Sequence, residues 1–232
     1  MAQFSAVRRF LSSRAISGIK VSNEVKQALS DRLKPVIALE STIITHGLPF
    51  PQNLEKARTV EKEIRNAGGI PATCAFVNGQ PLVGLEDVNL NTLADFNSQS
   101  KPLKVSRRDV GYVMASRKNG GTTIALTMIL AAKAGIRVFA TGGLGGVHRD
   151  GQNTLDVSAD LTELGRTPVS VVCAGPKSIL DIGLTLEFLE TQGVFVGTYN
   201  EGTNRSVDIP GFYTRESGFK SPYSFDTFEE AA

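Results

Sequence analysis

From about residue 34 the chain alternates short apolar runs with stretches in which apolar residues recur every three or four positions, and glycine or proline marks the joins. "PVIALESTI" reads as a strand. "NLEKARTVEKEIRNAGG" reads as an amphipathic helix stopped by glycine, and "ATCAFVNG" and "PLVGL" follow as strands. Further on, "LKVSR", "IRVFATGG", "VSVVCAG" and "VFVGTY" are β-like runs separated by helical stretches, notably "TIALTMILAAKAG". Such alternation predicts a layered α/β fold with a largely parallel sheet. In such folds ligands collect at the carboxyl ends of strands, which directs attention to Glu40 and Ser41, Lys104 and Ser106, Thr141 with the glycines after it, and Lys177. There is no internal repeat and no low-complexity linker. The closing "SFDTFEEAA" reads as a helix that has barely begun.

Lys177 is the oddly placed member of that set. "VVCAGPKSIL" runs a strand into a lysine, and Ser178 to Asp181 read as a capping box ahead of the apolar periodicity of "ILDIGLTLEFLE". A helix N-terminus disfavours an ammonium group, so a lysine there is expected to favour its neutral form, the form that attacks carbonyl carbon. The plain alternative is an exposed lysine with its head in water.

Composition narrows the field. With 232 residues and 41% apolar content the chain can bury a core as one domain, and a formal net charge of +2 with no basic stripe argues against a nucleic-acid protein. Cys74 and Cys173 sit in apolar runs, and with two histidines they supply no zinc-ligand spacing. No apolar run is long enough to span a bilayer. Residues 1–20, "MAQFSAVRRFLSSRAISGIK", hold arginines and serines without an acid, the pattern of a mitochondrial presequence; the alternative is a disordered extension of a cytoplasmic protein. Either way the folded domain is expected over 21–232.

Several motifs have a sharp and a plain reading. The five glycines of "FATGGLGGVHRDG" do not have the spacing of a dinucleotide fingerprint, and "GPKS" lacks the upstream glycine of a phosphate-binding loop. Asp156, Ser158 and Asp160 alternate, so in an extended segment they would share one face and offer oxygen ligands suited to magnesium or manganese; alternatively Ser158 or Asp160 caps the short helix "ADLTELG". His148 lies in a glycine-rich loop beside Arg149 and Asp150, where a histidine is more often solvated than catalytic. Lys101, Lys104, Arg107 and Arg108 cluster in "KPLKVSRRDVG", as a phosphate site or as a solvated charged edge. "NGGTTIALT" reads as a glycine turn feeding a helix, whose amides near Thr122 to Ile124 are placed to bind phosphate oxygens. Glu40 ends its apolar strand, a poor place for a charge without a task or a partner. Together these features suggest a sugar-phosphate site with an amine, an acid and a divalent metal.

The stretches "ALESTIITHGLPFPQN", "KVSRRDV", "NGGTTIALTMILAAKAGIRVFATGGLGGVHR", "DVSADL" and "VVCAGPKSILDIGLTLEFLETQGV" closely resemble the pseudouridine-5'-phosphate glycosidase family, which includes indigoidine synthase A-like proteins. The resemblance covers nearly everything after the leader. It implies a layered α/β/α fold with a largely parallel mixed sheet, and reversible cleavage of the carbon–carbon glycosidic bond of pseudouridine 5'-phosphate to uracil and ribose 5-phosphate. By position it implies Lys177 as nucleophile, Glu40 as proton donor and Asp156 as ligand of a manganese ion. It implies substrate contacts at Lys104, Ile124 through the backbone, and Ser158, Ala159 and Asp160, with His148 matching an active-site histidine. It further implies a homo-oligomer, a homotrimer among the options, with no nucleic-acid or membrane partner. Relatives are expected to continue past "SFDTFEEAA" with a helical region that supplies an asparagine to the site. Two alternatives stay beside this reading: a Schiff-base lyase acting on another sugar phosphate, and an inactive short form that binds ligand or full-length subunits.

Overall fold

The strand at Val36–Leu39 (β2) is almost wholly buried, and Ile70–Val77 (β3) is buried along seven of its eight residues. Continuous apolar runs of this kind belong to strands covered on both faces. The computed structural model describes residues 18–96, 101–202 and 205–231. Residues 1–17, most of the expected leader, lie outside the described residues; Lys20–Val21 (β1) already pairs in parallel with Gln80–Val83 (β4).

Among the described residues the main sheet has eight strands, in the order β1-β4-β3-β2-β7-β9, where β7 is Val138–Ala140 and β9 is Ser170–Val172. Leu103–Val105 (β5) joins through Gly120–Thr122 (β6), which pairs with β3. The β2–β3, β2–β7, β7–β9, β5–β6 and β1–β4 pairs are parallel, and only β3–β4 and β3–β6 run antiparallel. The sheet is therefore mixed and largely parallel, the layered architecture that the alternation of elements implies.

Helices cover it. Asn23–Asp31 (α1) is capped by Ser22; Gln52–Asn66 (α2), Asp87–Ala94 (α3) and Val110–Ala115 (α4) follow. Ile124–Ala134 (α5) buries every residue from Ile124 to Ala131, as expected of a helix apolar all round. Thr123 caps its start and Gly135, at φ 88°, closes its end in the left-handed conformation glycine tolerates. Ala159–Leu164 (α6) and Ile182–Thr191 (α7) complete the layer. The closing residues make a short strand, Tyr223–Phe225, and a single helical turn at Phe228–Ala231.

Three expectations shift. α7 begins at Ile182, with Asp181 as its cap accepting from the Leu184 amide at 2.9 Å, and Leu180–Asp181 instead pairs with Val147–His148 (β8). Lys177 thus stands five residues ahead of the helix, beyond the first turn in which the end of a helix acts on a charge. The "NGGTT" glycines form β6 rather than a free turn: Gly121 has no room for a side chain, since a Cβ there would meet the Ser41 carbonyl oxygen at 2.8 Å. Finally, Asp156, Ser158 and Asp160 do not share one face. Val157 makes a bridge to Val147, Ser158 caps α6, Asp156 is exposed and Asp160 is buried.

Candidate active site

β2, β7 and β9 are adjacent and parallel, so the chain leaves all three at the same edge of the sheet. Glu40 follows β2, Thr141 follows β7, and the "CAGPK" loop that ends in Lys177 follows β9. That edge borders a cavity of about 700 Å³ whose walls include Glu40, His46, Lys104, Thr141, Lys177 and Phe212. Glu40, Lys104 and Lys177, singled out in the sequence, are thus brought together.

Glu40 is half-buried and held at both oxygens. Thr141 Oγ1 donates to Oε1 at 2.6 Å, and Thr42 Oγ1 donates to Oε2. These two hydroxyls give the strand-end charge its partners and leave the carboxyl aimed at the cavity rather than free to rotate.

Lys177 is positioned by three interlaced backbone segments. Leu144 N donates to Gly175 O and Lys177 N to Leu144 O, at 2.9 and 3.0 Å, while Ala174 N donates to Gly142 O at 2.8 Å. Phe212 N then donates to Ala174 O at 2.9 Å, and Phe212 adopts φ 65°, a conformation that side-chain-bearing residues rarely take and that clusters at functional sites. Gly143 lets these parts meet: a Cβ at 143 would lie 2.8 Å from Lys177 Cγ and 2.8 Å from Phe212 Cδ2. Gly175, at φ 89°, would collide with the Pro210 carbonyl oxygen if it carried a side chain.

The other expected residues take supporting or separate places. Asp160 accepts from Ala125 N at 2.9 Å and from Gly145 N at 3.2 Å, tying the start of α5 to the Gly142–Gly146 loop. Ser158 Oγ accepts from the Asp160 amide, and Ala159 is exposed at the start of α6. Ile124 is buried at the first position of α5. The amides around it are largely committed: Thr122 N donates to Ser41 Oγ, Thr123 N to Val105 O, and Ala125 N to Asp160. The glycine turn is thereby corrected to a paired strand edge, with three of the amides around Ile124 committed within the protein.

His148 Nδ1 lies 3.8 Å from Asp156 Oδ2, and neither residue lines the cavity. Among the described residues no three His, Cys, Asp or Glu side chains gather to hold a metal. One exposed carboxylate suits a hard cation that keeps most of its waters, not an enclosed one. Of the basic cluster, Arg107 is committed to a fork with the buried Glu163 at 2.7 Å on both arms, Arg108 lies against Asp109 at 3.5 Å, and Lys104 faces the cavity.

His46 was not marked out by its sequence context. It belongs to Ile43–Gly47, a π-helical turn, the kind of rare geometry that recurs at functional sites. The turn is rigidly seated: Ser41 Oγ donates to Cys74 O at 2.6 Å, and Asn53 Nδ2 donates to Ile44 O and Ala94 O at 2.7 and 3.0 Å. Thr45 Oγ1 sits 2.7 Å from His46 Nδ1. Partial burial and then the charges of Lys101 and Lys104 hold the imidazole below its ordinary pKa. Nothing in "TIITHGLP" announces a π turn, so only the fold could bring this residue forward. Phe212 was missed for a similar reason: its 35 residues of separation from Lys177 carry no periodic signal.

With that geometry in view, the chain can be set beside known proteins. The family model described as indigoidine synthase A-like protein matches residues 24–232. A pseudouridine-metabolizing bifunctional protein of Schizosaccharomyces pombe is 58% identical over 214 residues, which is 92% of this chain and 28% of that protein. A pseudouridine-5'-phosphate glycosidase of Clostridium botulinum is 54% identical over 92% of this chain and 67% of its own length. Among solved structures, the prealnumycin C-glycosynthase AlnA in complex with ribulose 5-phosphate superposes with a TM-score of 0.81 at 40% identity, covering 93% of this chain and 67% of that one. An indigoidine synthase A-like protein of Thermotoga maritima gives 0.78 at 32% identity. The chain therefore spans about two thirds of the length of the glycosidase and just over a quarter of the bifunctional protein.

Proposed function

Because the chain belongs to the indigoidine synthase A-like family, we propose that it cleaves, and in reverse forms, the carbon–carbon glycosidic bond of pseudouridine 5'-phosphate, giving uracil and ribose 5-phosphate. The observation that carries this reading is the convergence of Glu40, Lys104 and Lys177 on one cavity at the carboxyl edge of the sheet, in a chain 54% identical to a protein named for that activity.

The chemistry follows from what these groups can do. An ordinary glycosidase expels an oxygen leaving group between two carboxylates, a scheme poorly suited to a carbon–carbon bond. Glu40 instead gives its proton to the ribose ring oxygen, and the C1'–O bond breaks with its electron pair going to oxygen. The amine of Lys177 adds at C1' and sheds a proton. Its lone pair then drives out uracil: the C1'–carbon bond breaks, the pair passes to the uracil carbon, and that carbon takes up a proton. Water adds to the resulting imine and releases ribose 5-phosphate with the free amine, so one water is consumed overall. Thr42 and Thr141 keep Glu40 aimed during the proton transfer, and Lys104 offers the phosphate a cation.

Asp156, exposed and outside the cavity walls, would be the residue to hold a hydrated hard cation such as manganese, which would supply positive charge and ordered water there. The basic leader supports a mitochondrial location as part of the same proposal, with the cytoplasm as the alternative. Homo-oligomerisation is likewise proposed from family membership alone.

Borohydride trapping tests the imine. Ribose 5-phosphate incubated with the protein and reduced should leave the peptide containing Lys177 heavier by the sugar phosphate less one oxygen atom, since imine formation loses water and reduction adds two hydrogens; label at another lysine or none contradicts the mechanism. The 40% identity to a C-glycosynthase favours a second reading in which the sugar phosphate is retained and the aglycone differs. Profiling aglycones in the synthetic direction separates the two.

A further inference from the structure

We propose that His46 is a phosphate-recognition residue of this cavity, a group that becomes cationic when a phosphate dianion arrives and completes, with Lys104, the anion-binding part of the site. This rests on the sugar-phosphate reading above and assigns it a residue that the sequence did not mark.

The geometry comes first. His46 and Lys104 line the same cavity as Lys177, and β5, which carries Lys104, packs against the π turn that carries His46. The turn is anchored by Asn53 and by the buried Ser41 and Thr45, so the imidazole is presented from a fixed base rather than from a mobile loop. Its Nδ1 meets Thr45 Oγ1 at 2.7 Å, which occupies one ring nitrogen and leaves the other for a ligand.

The charges around the ring explain why this is a gated contact. From β5 and the residues just before it come Lys104 and Lys101. From α2 come Lys56 and Glu63, which line the cavity, and from the end of β2 comes Glu40, already bound by two threonines. α3 brings Asp87, which pairs with Arg58 at 3.4 Å, and β6 is Gly120–Thr122, without a titratable group. Two lysines and partial burial therefore oppose a charge on His46 in the free protein. A phosphate dianion between these groups reverses the balance, because it neutralises the lysines' repulsion and accepts a hydrogen bond from the protonated ring. Ligand binding should then take up a proton at His46.

The test uses the whole chain and its His46→Asn variant, a change at an exposed side chain that leaves the Lys177 and Glu40 contacts untouched. Ribose 5-phosphate and inorganic phosphate are titrated by calorimetry at pH 6.5, 7.5 and 8.5, each in two buffers of different ionisation enthalpy. The expected result is that the variant binds both ligands roughly tenfold more weakly at pH 6.5, the order of one charge-assisted hydrogen bond. The gap should narrow at pH 8.5, and the variant should take up fewer protons than the wild type at pH 7.5. Equal affinity and equal proton uptake overturn the proposal. So does a loss confined to ribose 5-phosphate, which would place His46 against the sugar, or absence of binding to the wild type. Failure of the glycosidase reading is a separate outcome: no pseudouridine 5'-phosphate formed, while phosphate affinity still depends on His46.

Discussion

Gly143→Ala isolates the packing that places Lys177. The added methyl would lie 2.8 Å from Lys177 Cγ and 2.8 Å from Phe212 Cδ2, and 3.1 Å from Phe212 Cε2. Carbon atoms rest about 3.5–4.0 Å apart, so each of the two contacts must open by roughly 0.7–1.2 Å. Phe212 is held by its amide bond to Ala174 and by a backbone at φ 65°, which leaves the lysine stem as the softer neighbour. Overpacking of this kind costs about 1–3 kcal/mol of stability, which for a chain of this length is a Tm loss of about 2–4 °C per kcal/mol. The effect on turnover should be larger in proportion: displacement of a reacting group by about 1 Å is worth on the order of 100-fold. Gly142→Ala serves as the comparison, since its Cβ would meet only Phe212, at 3.3 Å, and not Lys177. Turnover and thermal melts of both variants decide the matter. A Gly143→Ala protein that keeps its kcat, or one no more impaired than Gly142→Ala, refutes the idea that Gly143 sets the lysine's place.

Other outcomes follow from the same contacts. Thr141→Val removes a 2.6 Å donor from Glu40 without changing side-chain shape, and kcat should fall while the affinity for ribose 5-phosphate holds; an unchanged kcat in steady-state assays counts against Glu40 being aimed by its threonines. Arg107→Ala leaves the buried Glu163 carboxylate without its fork and should cost about 1–3 kcal/mol in denaturant unfolding. Burial holds the Glu61 carboxyl above its usual range despite the hydroxyl of Thr73 at 2.5 Å. A raised folded-state value means that its contribution is full below the ordinary glutamate range and is lost as pH rises through the elevated value. Glu61→Gln should therefore raise the Tm at pH 7 and have little effect near pH 4, as pH-dependent melts would show. Replacing Arg8, Arg9 and Arg14 with glutamate should abolish organelle import in a localisation assay if the leader is a presequence.

How far the molecule could be read from its residues depends on how local the determining physics is. β2, β3 and α5 were plain because each carries its own signal: continuous apolar runs for the buried strands, and an apolar helix bounded by Thr123 and Gly135. Glu40 and Lys177 were visible as charges at the ends of apolar strands, where a polar group needs a reason. The helix after Lys177 was placed too early because Ser178 mimics a cap, whereas the β8 pairing of Leu180–Asp181 claims those residues and leaves the cap to Asp181. The glycines of "NGGTT" look like a turn in isolation and form a strand because β3 and β5 flank them. α1 escaped notice because only Val25 of its nine residues is buried. His46 and Phe212 depend on a π turn and on a contact far along the chain, neither of which has a local signature.

The most direct measurement of the central claim is synthesis. The purified 232-residue chain is incubated with manganese, ribose 5-phosphate and uracil, and formation of pseudouridine 5'-phosphate is followed beside Lys177→Ala. Product from the wild type that vanishes in the variant is the predicted result. A folded, soluble chain that makes no product, or a Lys177→Ala protein that makes it at the wild-type rate, contradicts the assignment of Lys177 as the amine of a carbon–carbon glycosidase.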